Sequence, residues 1–277
     1  VVGGYVAQLD YTKQKMKMVL PPGGGELSAT GTGEQGAVSI LDQVYGNIGT
    51  SFRKARWGPN GDFVVAIMRR DGGEVLLMEN TSGTTQVNPE TGQPMPNRPI
   101  ILAAAERLDF DVDPKTGNIA FSITGMQPAS RDDIPEEFKK NGVFTPPFHN
   151  ALLIFDWATK GQILVASTDK DITFFSPRYN PDGSAIYVGV GDMKEGYEVP
   201  IQLTLMPAKE NGAAEAKTIA KGEIAEFDIS KDGSKLVYTK KADGVIALFT
   251  CDKDGSNEKN LTGKKGNFGS PRFSPKQ

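Results

Sequence analysis

The sequence predicts an all-β fold, a β-propeller of four-stranded antiparallel blades. Three observations predict it. A short sequence motif, here called the phrase, recurs five times, and each copy leads into strand-forming residues; no long helical pattern occurs. Four-stranded antiparallel sheets repeated around an axis leave only short, protected edges, which is how a propeller manages its sheet edges. Five blades are visible, and six or more are expected if the chain is a fragment of a longer protein.

Each phrase places a charged residue before an apolar one and continues into a turn rich in Pro, Asp, Asn and Gly. The last interval, from Ile229 to Phe273, is close to the roughly 40–45 residues of a bare blade, so the longer intervals carry insertions. The charged residue and the apolar residue of the five phrases are Arg56-Trp57, Asp111-Val112, Arg178-Tyr179, Asp228-Ile229 and Arg272-Phe273.

Three further strands are predicted after each of the first four phrases. Runs of β-branched and aromatic residues bounded by Asp-Gly or Asn-Gly clusters are typical of hairpins. The second strands are 62–67, 118–123, 184–189 and 234–239; the third are 75–78, 151–155, 201–205 and 245–249; the fourth are 100–102, 163–165, 217–219 and 259–262.

The two ends of the chain are predicted to share one blade. The fifth phrase supplies a first strand, and residues 5–9, 15–20 and 37–41 can supply the other three. Sharing a blade would close the ring and remove a free edge. We therefore expect a single domain over residues 1–277, with about residues 1–46 joining the strand at about 269–275.

Three segments carry a resemblance to a known family: residues 176–183, residues 248–262 and residues 270–275. They resemble the TolB-type, WD-repeat-like propeller repeat, in which Ser-Pro-x-Phe-Ser-Pro-Asp-Gly begins a blade, Asp-x-Asp-Gly-x-Asn forms a hairpin and Leu-Thr ends it. The resemblance covers roughly residues 50 to 277. It implies the fold, a repeat scaffold and a periplasmic or cell-surface location, and it says little about function, because such repeats occur in binding proteins and beside enzymes.

Composition excludes some classes of protein. With 31 basic and 34 acidic residues there is no basic footprint for nucleic acid. No apolar stretch approaches the roughly 18 residues that could span a bilayer, so no transmembrane segment is expected. The single cysteine, Cys251, excludes an internal disulfide and is expected to be a small buried hydrophobe. The start at Val1, without Met, suits either a mature secreted or periplasmic protein or merely a boundary within a longer chain.

Few residues point to catalysis. His149 is the only histidine, so a nucleophilic triad would have to use it and a multi-histidine metal site is excluded. Residues 252–257 resemble the start of a calcium loop, but the twelfth position is Gly263 where a bidentate Glu is needed. A turn with Gly255 at positive φ is the favoured interpretation. We expect no catalytic residue, no metal and no cofactor.

The phrases predict a ring of charged residues along the channel of the propeller. Asp109 and Asp111 are two apart and so share one face of an innermost strand. Acidic and basic phrase positions would form a polar ring, either as salt bridges between blades or as a ligand site. The predicted channel-lining residues are Arg56, Asp109, Asp111, Arg178, Asp228 and Arg272.

The most distinctive insertion runs from Met126 to Asn150, between the second and third strands of its blade. A loop this long without a strand of its own is usually functional or disordered. A second insertion, at 88–99, should project from the opposite face. The candidate binding residues of the longer loop are Asp132, Asp133, Glu136, Glu137, Phe144, Phe148 and His149.

Two functions fit these observations. The first is a non-catalytic binding or scaffold propeller that presents the 126–150 face to a protein partner in an extracytoplasmic assembly. The alternative is a propeller domain of, or accessory to, a hydrolase acting on peptides or glycans. In the prolyl oligopeptidase family a similar propeller is attached to a hydrolase domain, and this sequence contains no such domain.

Overall fold

The computed structural model describes residues 6–10, 15–20, 26–28, 51–70, 73–81, 100–126, 150–168, 171–194 and 197–274. These residues are strands and turns, with one short 3-10 helix at Gly212–Glu215 among them. The chain divides into two compact units, Val1–Ala105 and Glu106–Gln277. None of the described helical structure is long and apolar enough to cross a membrane.

The first unit begins with a small antiparallel sheet. Its strands are β1 (Val6–Asp10), β2 (Lys15–Leu20) and β3 (Glu26–Ser28), in the order β1-β2-β3. The first two were predicted and are confirmed. β3 was not predicted, and the predicted strand at 37–41 lies outside the described residues.

An antiparallel meander follows in the same unit. β4 (Ser51–Trp57) pairs with β5 (Phe63–Arg70), and β5 pairs with β6 (Gly73–Asn80). Residues 63–67 of β5 are completely buried, as expected of a strand covered on both faces. One core cluster of this unit contains Val6, Phe52, Val64, Ala66, Met68, Val75 and Leu77.

The next strand, β7 (Ile100–Val112), passes from one unit into the other. Its beginning pairs with β6, with Glu74 opposite Ala105. Its remainder continues the order through β8 (Ile119–Met126), β9 (Asn150–Phe155) and β10 (Gln162–Thr168). The sequence predicted two separate strands here, the fourth of one blade and the first of the next, and the structure joins them.

Two four-stranded antiparallel sheets complete the second unit, each in the predicted strand order. Gly183 and Gly233, in the turns after the first strand of each sheet, adopt positive φ values of 80° and 72°. The first sheet consists of β11 (Ile172–Tyr179), β12 (Ala185–Lys194), β13 (Tyr197–Pro207) and β14 (Lys217–Lys221). The second consists of β15 (Ile224–Ile229), β16 (Lys235–Ala242), β17 (Val245–Asp252) and β18 (Lys259–Asn260).

The described strands therefore confirm an all-β, antiparallel architecture but not five separate blades. They form a seven-stranded and two four-stranded sheets beside the three-stranded N-terminal one, and these sheets are open rather than closed. Two local features account for the difference: β7 is continuous, and the fifth phrase, at 270–274, forms no strand. The closing blade shared by the two ends stays a prediction.

The sheets of the second unit pack through apolar faces. Tyr179 is 7% exposed and lies in one core cluster with Ala120 and Leu152 of the preceding sheet. If the phrases were equivalent, Trp57, Tyr179 and Phe273 would pack in equivalent positions between blades, but Trp57 is 40% exposed. Trp57 ends β4, an edge strand of its sheet, whereas Tyr179 is covered by a neighbouring sheet.

Candidate functional site

Two pairs of acidic residues in the second unit, here called the acid pairs, accept hydrogen bonds from a neighbouring segment of the chain. Asp109 and Asp111 lie near the end of β7, and Glu226 and Asp228 lie in β15. Within each pair the residues are two apart, so both carboxylates are on the same face of the strand. Each pair reaches a segment of sequence Ser-Pro-Arg followed by an aromatic residue, which we call a Ser-Pro-Arg segment: 176–179 and 270–273.

The first acid pair joins β7 to β11. The backbone N–H of Tyr179 donates to Oδ2 of Asp111 at 3.0 Å. The hydroxyl of Ser176 donates to Oδ2 of Asp109 at 3.1 Å. The other oxygen of Asp109, Oδ1, accepts from the N–H of Phe110 at 2.8 Å. Hydrogen bonds to a charged acceptor are stronger than neutral ones, so this pair fixes one strand against the next sheet.

The second acid pair repeats the arrangement. The backbone N–H of Phe273 donates to Oδ2 of Asp228 at 2.9 Å. The backbone N–H and the hydroxyl of Ser270 both donate to the carboxylate of Glu226. The contact of Asp111 with Tyr179 spans 68 residues of sequence, and that of Asp228 with Phe273 spans 45. Both contacts join equivalent positions of the repeated sequence. The arrangement is therefore a property of the repeat.

The Ser-Pro-Arg segments have an unusual backbone. Ser176 and Ser270 both have φ of 49°, in the left-handed region that non-glycine residues rarely adopt. In β11 the pairing register shifts between Phe175 and Arg178, as at a β-bulge. Left-handed backbone in a serine persists only where its surroundings hold it, and the acid pairs supply such contacts.

The arginines of these segments donate hydrogen bonds to their own segments. A guanidinium nitrogen of Arg178 donates to the carbonyl of Pro177 at 3.1 Å, and Arg272 donates to the carbonyl of Pro271 at 2.6 Å. Salt bridges between acidic and basic phrase positions were one of the two interpretations of the sequence. In the structure, Asp111 and Asp228 each accept a hydrogen bond from the backbone N–H of the residue that follows the arginine.

The structure places five of the six predicted channel residues at these two contacts: Asp109, Asp111 and Arg178 at the first, and Asp228 and Arg272 at the second. Arg56 lies in β4 of the first unit. That the six line a channel stays a prediction. Three further residues at these contacts, Glu226, Ser176 and Ser270, were not predicted as site residues. The signal for them was present, because acid-x-acid recurs at 109–111 and 226–228 and Ser-Pro-Arg-aromatic recurs at 176–179 and 270–273.

The candidate binding residues of the long insertion, Asp132 through His149, lie outside the described residues.

The calcium-like loop at 252–257 is described and is a tight turn. Oδ2 of Asp252 accepts from the side-chain amide of Asn257 at 2.6 Å, and Oδ1 of Asp254 accepts from the N–H of Ser256 at 3.0 Å. Gly255 has φ of 88°, which confirms the predicted turn.

The thiol of Cys251, which directly precedes this turn, is part of the core. Cys251 is buried, and burial raises the pKa of its thiol to about 11, so the thiol stays protonated and unreactive at neutral pH. Within the described ranges, no group of three or more His, Cys, Asp or Glu side chains is placed to hold a metal ion.

Comparison with solved structures supports the β-propeller class of fold. The chain is similar to an oligogalacturonate lyase solved with manganese, with a TM-score of 0.52 and 11% identity over 94% of this chain and 59% of that one. It is also similar to TolB from Acinetobacter baumannii, with a TM-score of 0.45 and 15% identity over 76% of this chain and 43% of that one.

A third similar structure is prolyl oligopeptidase B from Galerina marginata, with a TM-score of 0.49 and 9% identity over 76% of this chain and 29% of that one. In all three comparisons the chain spans less than two thirds of the other protein's length. No protein-family model matches the chain, and no curated protein sequence matches it. At these identities the likeness concerns the fold alone.

Proposed function

We propose that this chain is a non-catalytic binding module, a propeller or part of one, that engages a protein partner in an extracytoplasmic assembly. The observation that carries the proposal is that both acid pairs accept hydrogen bonds from groups of their own chain. Asp109, Asp111 and Asp228 accept hydrogen bonds from the backbone or hydroxyl groups of a neighbouring Ser-Pro-Arg segment, and Glu226 does the same. A carboxylate held in this way stabilises the scaffold.

An enzymatic propeller would need these groups for a different purpose. A glycan-cleaving site places two carboxyl groups on either side of the scissile bond, and one of them exchanges a proton with the substrate. The acid pairs here are directed at peptide groups and serines of their own chain. The hydrolase alternative therefore has less support from this part of the molecule.

The proposed binding face is the one that carries residues 126–150, as the sequence analysis predicts. The closed propeller that the sequence predicts would leave few free edges and would have to recognise a partner through its loops. Phe144 and Phe148 would be apolar anchors, and Asp132, Asp133 and Glu136 part of a charged rim, which is common interface anatomy. The extracytoplasmic setting is supported by the resemblance of the repeats to TolB-type sequences.

The test begins by identifying a partner with the immobilised chain and then measures its affinity for the purified chain by calorimetry. Phe144→Ala combined with Phe148→Ala should weaken the complex by at least about 2 kcal/mol, or about 30-fold, because aromatic anchors carry much of such binding energy. Lys231→Ala, an exposed residue of the turn after β15, is the matched control and should bind normally.

Two results would contradict the proposal. Full affinity after deletion of residues 128–147 would exclude this face. Turnover of a peptide or oligosaccharide by the purified chain, lost in Asp111→Asn while the fold persists by circular dichroism, would establish the enzymatic alternative.

A further inference from the structure

Three large apolar side chains are exposed along the outer edge of the last sheet. Ile246 in β17 is 41% exposed, Leu261 just after β18 is 55% exposed, and Phe268 is 38% exposed. Single exposed apolar residues are common, but several on one edge mark a candidate interaction surface. We call residues 246, 261 and 268 the edge surface.

The segment that carries two of these side chains is fixed to the sheet. The N–H of Leu261 donates to the carbonyl of Leu248 at 2.8 Å, and the N–H of Phe268 donates to the carbonyl of Ile246 at 3.0 Å. The side chain of Asn267 accepts from the N–H of Ile246 at 2.9 Å. Leu261 and Phe268 are therefore held in place against β17, and binding a partner would cost little ordering of the backbone.

The charge around the edge surface is positive. Between residues 259 and 268 the sequence contains three basic residues and no acidic one: Lys259, Lys264 and Lys265. Lys259 and Lys265 are exposed and form no ion pair within the described residues. Lys264 pairs with Asp243 at 3.0 Å, but both side chains are largely exposed, so this pair is weak.

Two further carboxylates of the same sheet, Glu258 and Asp252, are engaged in other contacts. Glu258 accepts from the hydroxyl of Tyr238 and from Lys240 at 3.0 Å. Asp252 pairs with Lys235 and accepts from Asn257. These acids are committed to contacts within the sheet, which leaves Lys259 and Lys265 available to a negatively charged partner.

We propose that the edge surface binds an acidic segment of a partner protein, in which Asp or Glu residues alternate with apolar ones. Apolar side chains would cover Leu261 and Phe268, and the acids would face the lysine rim; such charge complementarity sets orientation and association rate. The inference rests on the proposed role as a binding module, but it uses a surface separate in sequence from residues 126–150.

The experiment uses two labelled synthetic peptides of equal length, one alternating Glu and Leu and the other alternating Lys and Leu. Fluorescence anisotropy should show binding of the Glu-Leu peptide, weakened by salt because exposed charges are screened. Lys259→Glu with Lys265→Glu, and separately Leu261→Ser with Phe268→Ser, should each reduce affinity at least about tenfold. Lys231→Glu, a charge reversal in the exposed turn after β15, should leave affinity unchanged.

Equal binding of both peptides, or unchanged affinity in both double variants, would overturn the inference. So would a concentration-dependent dimer dispersed by Leu261→Ser with Phe268→Ser, because the occupant would then be a second copy. Binding to anionic lipid vesicles without binding to the peptide would assign the surface to a membrane and also overturn it. The two proposals can also be told apart. If Phe144→Ala with Phe148→Ala abolishes binding of the native partner, and the unaltered chain does not bind the Glu-Leu peptide, the proposed function is upheld and this inference is rejected.

Discussion

Asp111 and Tyr179 are joined by a hydrogen bond of 3.0 Å between a carboxylate and a backbone N–H, across 68 residues of sequence. The same contact recurs between Asp228 and Phe273 at 2.9 Å. A side chain in one repeat thus satisfies a backbone donor in the next. Because buried backbone N–H groups need partners, this contact fixes the register between successive repeats.

Removing this acceptor should destabilise the second unit. Asp111→Ala is expected to lower the free energy of unfolding by about 1.5–3 kcal/mol, the usual range for a hydrogen bond to a charged group. Urea unfolding followed by circular dichroism measures the change. Asp228→Ala should behave similarly, because the contact is repeated there.

The matched control is Asp171→Ala, which removes an exposed carboxylate at the start of β11. It should change stability by less than about 0.5 kcal/mol. Equal stabilities of the Asp111 and Asp171 variants would mean that the contact between repeats contributes nothing.

The two tyrosines Tyr179 and Tyr187 provide a second test, because their buried hydroxyls differ in hydrogen bonding. The hydroxyl of Tyr187 donates to the carbonyl of Lys253 at 3.0 Å, whereas the hydroxyl of Tyr179 is buried and has no hydrogen-bond partner among the described residues. Tyr187→Phe should therefore cost about 1 kcal/mol, and Tyr179→Phe should be neutral or slightly stabilising. Paired urea titrations measure both; a larger loss in Tyr179→Phe would contradict the reasoning.

The strand pattern was predictable from sequence where turns separate the strands. Gly183 and Gly233 mark hairpins correctly, and the runs after them are β12 and β16. The continuity of β7 was missed. Residues 103–108 contain no Gly, Pro, Asn or Asp, whereas Gly222, with φ of 119°, separates β14 from β15. The missing turn residues were the available signal for a single long strand.

The candidate site was only half predictable. The spacing of Asp109 and Asp111 showed that they share a face, since the side-chain period of a strand is two. Their target could not be read from the sequence, because the amide of Tyr179 reaches Asp111 only through the packing of one sheet on another. That register depends on the whole core, including Ala120, Leu152 and Tyr179.

A buried acid in the first unit predicts a pH dependence. Glu79 is 3% exposed and lies opposite Val64, at a position where the other repeats hold the buried apolar residues Ile154, Met206 and Cys251. Burial raises its pKa from 4.5 to about 7. Between these values the folded chain holds a proton that the unfolded chain releases, so stability falls as pH rises through this window.

The fall should amount to at most about 3 kcal/mol, since one unit of pKa corresponds to about 1.4 kcal/mol. Urea midpoints at about pH 5 and about pH 8 measure it. Glu79→Gln should remove this part of the pH dependence. Glu79→Met, which introduces the residue found at the equivalent position 206, should remove it as well and should raise the free energy of unfolding at about pH 8. An identical pH profile in all three proteins would show that Glu79 does not titrate in this range.

Gly255 and Gly244 separate two reasons for a glycine in a turn. Both have positive φ, 88° and 81°, so alanine at either position pays the left-handed penalty of about 1 kcal/mol. A Cβ on Gly255 would also lie 2.3 Å from the carbonyl oxygen of Ile219, whereas a Cβ on Gly244 would meet nothing within 4 Å. Gly255→Ala should therefore cost about 2–4 kcal/mol, because overpacking adds to the backbone penalty. Differential scanning calorimetry of the two variants measures the difference, and equal melting temperatures would show that the turn at 252–257 can move away from β14.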